Sequence, residues 1–155
     1  MKKSANCDQL TVLARQHLQV LRHENKQYRQ ILTLLKIAGC SAQQFQRKMD
    51  EFDRRGSLVN ELRRQREVLE IEIDSAPELR REAGLPRAYR TQVAKLAGTN
   101  RELQVQVQLR ARENQLLFCR SLALVQRFLA TLFPGSASSS VSEVTATVQT
   151  GIIAA

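Results

Sequence analysis

The sequence predicts an all-α fold: an antiparallel three-helix bundle with coiled-coil character, a long C-terminal helix and a flexible tail. Three observations predict it. Only six glycines and three prolines occur in 155 residues, and Trp is absent, which favours long uninterrupted helices over turn-rich β architecture. Apolar residues recur at steps of three and four through most of the chain, the signature of a helical face. The rhythm stops around Gly39, Pro77 and Pro134, where residues that end helices stand. One domain is expected at this length, with the bundle over residues 1–133 and the tail over 134–155.

The first helix is expected over 8–37. Leu10, Leu13, His17, Leu21, Glu24, Tyr28, Ile31 and Leu35 lie on one face. Asp8 is placed to cap it and Gly39 to close it. His17 and Glu24 fall on the apolar stripe, and the expectation for such residues is an edge position with the polar end turned to water.

The second helix is expected over 41–74. Ser41 followed three residues later by Gln44 matches a capping box. Its stripe runs through Phe45, Met49, Phe52, Val59, Leu62, Leu69 and Ile73. Gly56-Ser57 interrupts it, and a glycine inside a helix costs about 1 kcal/mol, so a kink or short break is expected there. Residues 78–86, ELRREAGLP, read as a corner with Gly84 as a stop and Pro86 as the start of the next element.

The third helix, expected over 86–133, carries the most regular pattern. Tyr89, Val93, Leu96, Asn100, Leu103, Val107, Arg110, Asn114, Leu117, Ser121, Leu124, Phe128 and Thr131 alternate steps of four and three. That is a heptad seam of about six repeats, and at 1.5 Å per residue the rod would be about 72 Å long. Polar residues at seam positions weaken such a seam and fix its register.

Charge and cysteine content narrow the function. The chain carries a net charge of +9, which raises nucleic acid and anionic lipid as partners. The positive residues are spread along 1–40 and 86–133, with 41–74 nearly balanced and no dense basic block. Cys7, Cys40 and Cys119 form no CxxC and have no His at ligand spacing, so neither a disulfide framework nor a metal site is expected. A reducing, cytoplasmic setting fits. MKKSANCDQL has no apolar run behind its lysines, which argues against a signal peptide. No stretch reaches the roughly 18 uncharged apolar residues of a membrane span. His17 and His23 stand without a nucleophile, a Gly-rich phosphate loop or a paired-acid motif, so neither an enzyme nor a cofactor is expected.

Residues 113–133, ENQLLFCRSLALVQRFLATLF, are apolar on more sides than one neighbour can cover. Beside the seam residues Leu117, Ser121, Leu124 and Phe128 runs a second stripe of Phe118, Leu122, Val125, Leu129 and Leu132, extended by Phe133. Such a face can touch two helices at once. It either packs on the first two helices or, where the longer rod outruns them, receives a partner helix. The tail, PGSASSSVSEVTATVQTGIIAA, has small uncharged residues and cannot order itself. Yet Val141, Val144, Val148 and Ile152 lie three and four apart, a second apolar stripe if something supplies its other half.

NQLLFCRSLALVQRFL, residues 114–129, resembles the closing motif of the FlgN family of flagellar export chaperones. There an Asn is followed by Leu, then by a Ser-Leu pair and a Val/Leu pattern before a disordered end. The layout of three helices, a long last one and a loose tail is also similar. The resemblance implies a cytoplasmic protein of the type III secretion system of the flagellum. It would hold the amphipathic terminal segments of hook–filament junction proteins, prevent their early assembly, and deliver them to the export apparatus. The expected partner-binding residues are then Leu117, Phe118, Leu122, Val125, Leu129, Leu132 and Phe133, with Val141, Val144, Val148 and Ile152 of the tail. The competing readings are a basic coiled-coil nucleic-acid-binding protein and a self-assembling structural coiled coil. The sequence leaves the oligomeric state open, a homo-oligomer included.

Overall fold

The computed structural model describes residues 2–76 and 86–133, and within these it contains three helices and no strand. They are α1 (Lys2–Leu34), α2 (Ala42–Asp74) and α3 (Arg87–Leu132). Of the expected corner at 78–86, all but Pro86 lies outside the described residues, as does the tail at 134–155. The chain divides into two compact units, Met1–Arg110 and Ala111–Ala155.

α1 begins earlier than the sequence predicts, at Lys2, so Asp8 lies inside the helix and is no cap. It ends at Leu34, where an ordinary helical bond from Leu35 N–H to Ile31 O (3.0 Å) is followed by a tighter one from Lys36 N–H to Thr33 O (3.3 Å). Gly39, at φ +75°, takes the left-handed conformation that a side chain resists. The chain then reverses into α2. There Ser41 accepts from Gln44 N–H (3.3 Å), while the Gln44 side chain accepts from Ser41 N–H (2.9 Å). Both halves of the capping box are therefore made, and two otherwise unpaired helix-start donors are satisfied.

α2 runs through Gly56 as one helix, so of the kink or short break expected there, the break does not occur. Ser57 stays in the helix, its hydroxyl donating to Asp53 O at 3.1 Å. The cost of one glycine is small beside the packing of a 33-residue helix. At its far end Ser75 N–H donates to Ile71 O at 2.8 Å. In α3 the Pro86 carbonyl accepts the first helical bonds, from Tyr89 and Arg90. This uses a residue whose own missing N–H costs a helix start nothing.

Within residues 1–110 the three helices form an up-down-up bundle, read from their cross-helix bonds. Passing along α1 from His17 to Gln30, the α2 partners run backwards from Glu70 to Arg55. These two helices are therefore antiparallel. The α3 partners run forwards, from Tyr89 opposite His17 to Asn100 opposite Leu21, Glu24 and Asn25. Leu10, Ala14, His17, Leu21, Glu24, Tyr28 and Ile31 of α1, continued by Leu35 just past its end, are buried at alternating steps of four and three, with Gln27 buried beside them. Ala14 takes the place expected for Leu13, which is half-buried. α2 contributes Val59, Leu62 and Ile73, and α3 contributes Asn100 and Leu103. Each fully buried Leu or Ile here stabilises by about 1.5–3 kcal/mol.

Candidate partner-binding site

Two arrangements set the chemistry of the chain: a polar ladder inside the bundle and an exposed apolar stripe on α3. The ladder overturns one expectation. His17 and Glu24 do not sit at an edge; they are 3 % and 2 % exposed. Their partners come from the other two helices. The Tyr89 hydroxyl lies 2.7 Å from His17 Nδ1, and Glu70 Oε1 lies 3.2 Å from Nε2. An ionised carboxylate only accepts, so Nε2 carries a proton toward Glu70, and Nδ1 shares a hydrogen bond with the Tyr89 hydroxyl. Burial, followed by the charges of Glu70 and Asp74, raises the pKa of Tyr89 and keeps it a donor.

Glu24 faces Arg66 at 3.4 Å without hydrogen-bond alignment, so Glu24 Oε1 and Arg66 Nε are left without hydrogen-bond partners. Its other oxygen accepts from Asn100 Nδ2 at 3.3 Å. Asn100 also donates to Leu21 O (3.0 Å) and accepts from Asn25 (2.9 Å), which in turn accepts from Arg29. Burial pushes the Glu24 carboxyl above its ordinary range; Arg66, Asn100 and Arg63 oppose that and Glu70 adds to it. Farther along, Arg63 donates to the Tyr28 hydroxyl at 3.1 Å, and Arg55 donates to Gln27 (2.8 Å) and to Gln30. The ladder runs from the buried His17 and Glu24 out to Glu70, whose side chain is 45 % exposed. Its chemistry is the fixing of helix register.

The second arrangement holds the expected partner-binding residues. Leu117, Phe118, Val125, Leu129, Leu132 and Phe133 are 47–58 % exposed, and Leu122 is half-buried. Of the two fates open to this stretch, burial or exposure, these side chains have the second. Leu124 and Phe128 on the neighbouring seam are more exposed still. At about 100° per residue these positions cover roughly half the helix circumference. Arg120 and Arg127 stand off that half, seven residues apart and on one flank. The two hydroxyls within residues 117–133 are already satisfied: Ser121 donates to Leu117 O and Thr131 to Arg127 O, both at 2.9 Å. A partner covering Ser121 therefore meets no unpaired donor. Val141, Val144, Val148 and Ile152 lie outside the described residues.

A third feature was missed by sequence reasoning. Between α1 and α2 lies an open cleft of about 530 Å³, lined by Val20, Leu62, Val68 and Leu69 together with Gln16, Gln19, Gln65, His23, Glu61 and Arg64. Val68 does not fall on the α2 stripe, so periodicity gave no signal for it. Among the described residues no group of His, Cys, Asp and Glu could hold a metal ion. No helix there is long and apolar enough to cross a membrane. In comparison with known proteins, no family model, no curated protein and no solved structure matches this chain.

Proposed function

We propose that the chain is a cytoplasmic export chaperone of the flagellar type, similar to the FlgN family, that holds amphipathic helical segments of its clients and catalyses nothing. The observation that carries the reading is the exposed apolar half of α3 between Leu117 and Phe133. A helix that leaves this much Leu, Val and Phe in water gains from covering it, at about 1.5–3 kcal/mol for each side chain fully buried. An exposed apolar face this long is the signature of a protein interaction site. An amphipathic helix laid along it is the simplest cover, because both partners then bury a stripe of the same period.

The resemblance of residues 114–129 to the family's closing motif supplies the client class: the terminal segments of hook–filament junction proteins. These would otherwise pair with one another, and the chaperone would occupy their apolar faces until the export apparatus takes them. The apolar positions of the tail, Val141, Val144, Val148 and Ile152, belong to the same proposal as a second contact.

The test is calorimetric titration of a purified terminal segment of a hook–filament junction protein into the full chain. Binding that Leu122→Asp or Leu129→Asp removes, at an unchanged melting temperature, supports the reading. Absence of binding by the wild-type chain, or unfolding of both variants, contradicts it.

A further inference from the structure

We infer that the stripe from Leu117 to Phe133 takes an amphipathic helix of another protein whose flanking heptad positions are acidic. This rests on the reading of the stripe as a client-binding face and specifies the client's charge.

The argument starts from where the positive charge lies. α2 carries seven Lys/Arg against eight Asp/Glu and is nearly neutral, whereas α3 carries eight against two, Glu102 and Glu113. α1, with six Lys/Arg against two Asp/Glu, shares the surplus with α3, and beyond Arg110 α3 keeps Arg112, Arg120 and Arg127 against Glu113. Arg120 and Arg127 are one heptad apart, so they flank the same side of the apolar face along successive turns. Both are exposed, and among the described residues neither forms an ion pair. In paired helices such flanking residues choose the partner by opposite charge. A partner with Glu or Asp at matching positions meets Arg120 and Arg127 along their flank while its apolar seam covers Leu122, Val125 and Leu129.

Other occupants fit less well. A second copy of this chain would bring another +9 to the interface, and on α3 beyond Arg110 only Glu113 could answer it. A phosphate backbone would meet the arginines but leave the apolar side chains in water. The stripe from Leu117 to Phe133 runs about 24 Å, the length of four to five turns of a partner helix.

The experiment uses two synthetic helices of about 21 residues, long enough to cover the stripe. They share one leucine–isoleucine seam and carry either Glu or Lys at every flanking position. Each is titrated into the full chain and into the double variant Arg120→Glu/Arg127→Glu. An equal-charge control, Arg15→Glu/Arg22→Glu on α1, is run beside them, with circular dichroism confirming that all three proteins are helical. The Glu-flanked peptide is expected to bind about tenfold or more tightly than the Lys-flanked one. That preference should vanish or reverse in the α3 variant and persist in the α1 variant. Equal binding of both peptides overturns the inference and leaves the client-binding reading standing. Equal loss in both double variants overturns it by showing that net charge alone attracts the peptide. If neither peptide binds and the chain sediments as a dimer that Leu129→Asp dissociates, the client-binding reading falls with it.

Discussion

Asn100 of α3 donates to Glu24 of α1 across 3.3 Å, at a point where both side chains are shut away from water. The same amide nitrogen holds the Leu21 carbonyl. One residue of α3 therefore fixes the position of that helix against α1. Asn100→Ala removes a donor from a buried carboxylate and is expected to destabilise by about 2–3 kcal/mol, more than an exposed polar substitution. Chemical denaturation of the two proteins measures it.

The charge on Glu24 has a pH signature. Its carboxyl is raised above 4.5, chiefly by burial. The folded chain then holds that proton at pH values where the unfolded chain has released it. With more protons bound in the native state, stability falls as pH rises through the window between 4.5 and the raised value. Glu24→Gln lacks this term. Its stability relative to wild type should increase as pH climbs from below that window to above it. Melting curves of both proteins across the acid-to-neutral range show the sign; a relative loss on raising pH would mean that Arg66 outweighs burial.

Tyr89→Phe keeps the ring and deletes the hydroxyl that serves His17 Nδ1. A buried ring nitrogen without a partner costs about 1–3 kcal/mol. The variant should melt lower with unchanged helicity. His17→Phe together with Tyr89→Phe should cost less than the sum of the two single changes, because the unpaired group is then gone.

Gly56 marks a place where the helix carries a cost it does not need. A Cβ added there meets nothing within 4 Å, and α2 is continuous through it. Gly56→Ala should stabilise by about 0.5–1 kcal/mol by reducing unfolded-state freedom and raising helix propensity. A loss of stability would show that the glycine is used for a bend or a contact.

Much of this was legible in the sequence. The step pattern of α1 places His17 and Glu24 on its inner face, and that is where they lie. Residue type argued for the edge instead. Geometry prevailed because Glu70, Arg66, Tyr89 and Asn100 come to meet them, from partners 42 to 76 residues away; no local pattern announces such a meeting. The early start of α1 was hidden by Asp8, a good capping residue that the helix simply passes through. The apolar stripe of α3 was legible as a stripe. Its exposure was not, because periodicity shows which residues share a face and says nothing of what covers it.

The account turns on whether residues 114–132 are open to a client. Amide hydrogen exchange, read along α3 in the free chain and with a client segment bound, tests this most directly. Amides over 114–132 should exchange faster in the free chain than those over 93–107, and slow by at least about tenfold when the segment is added. Full protection of 114–132 in the free chain, or no change on adding the segment, would contradict it.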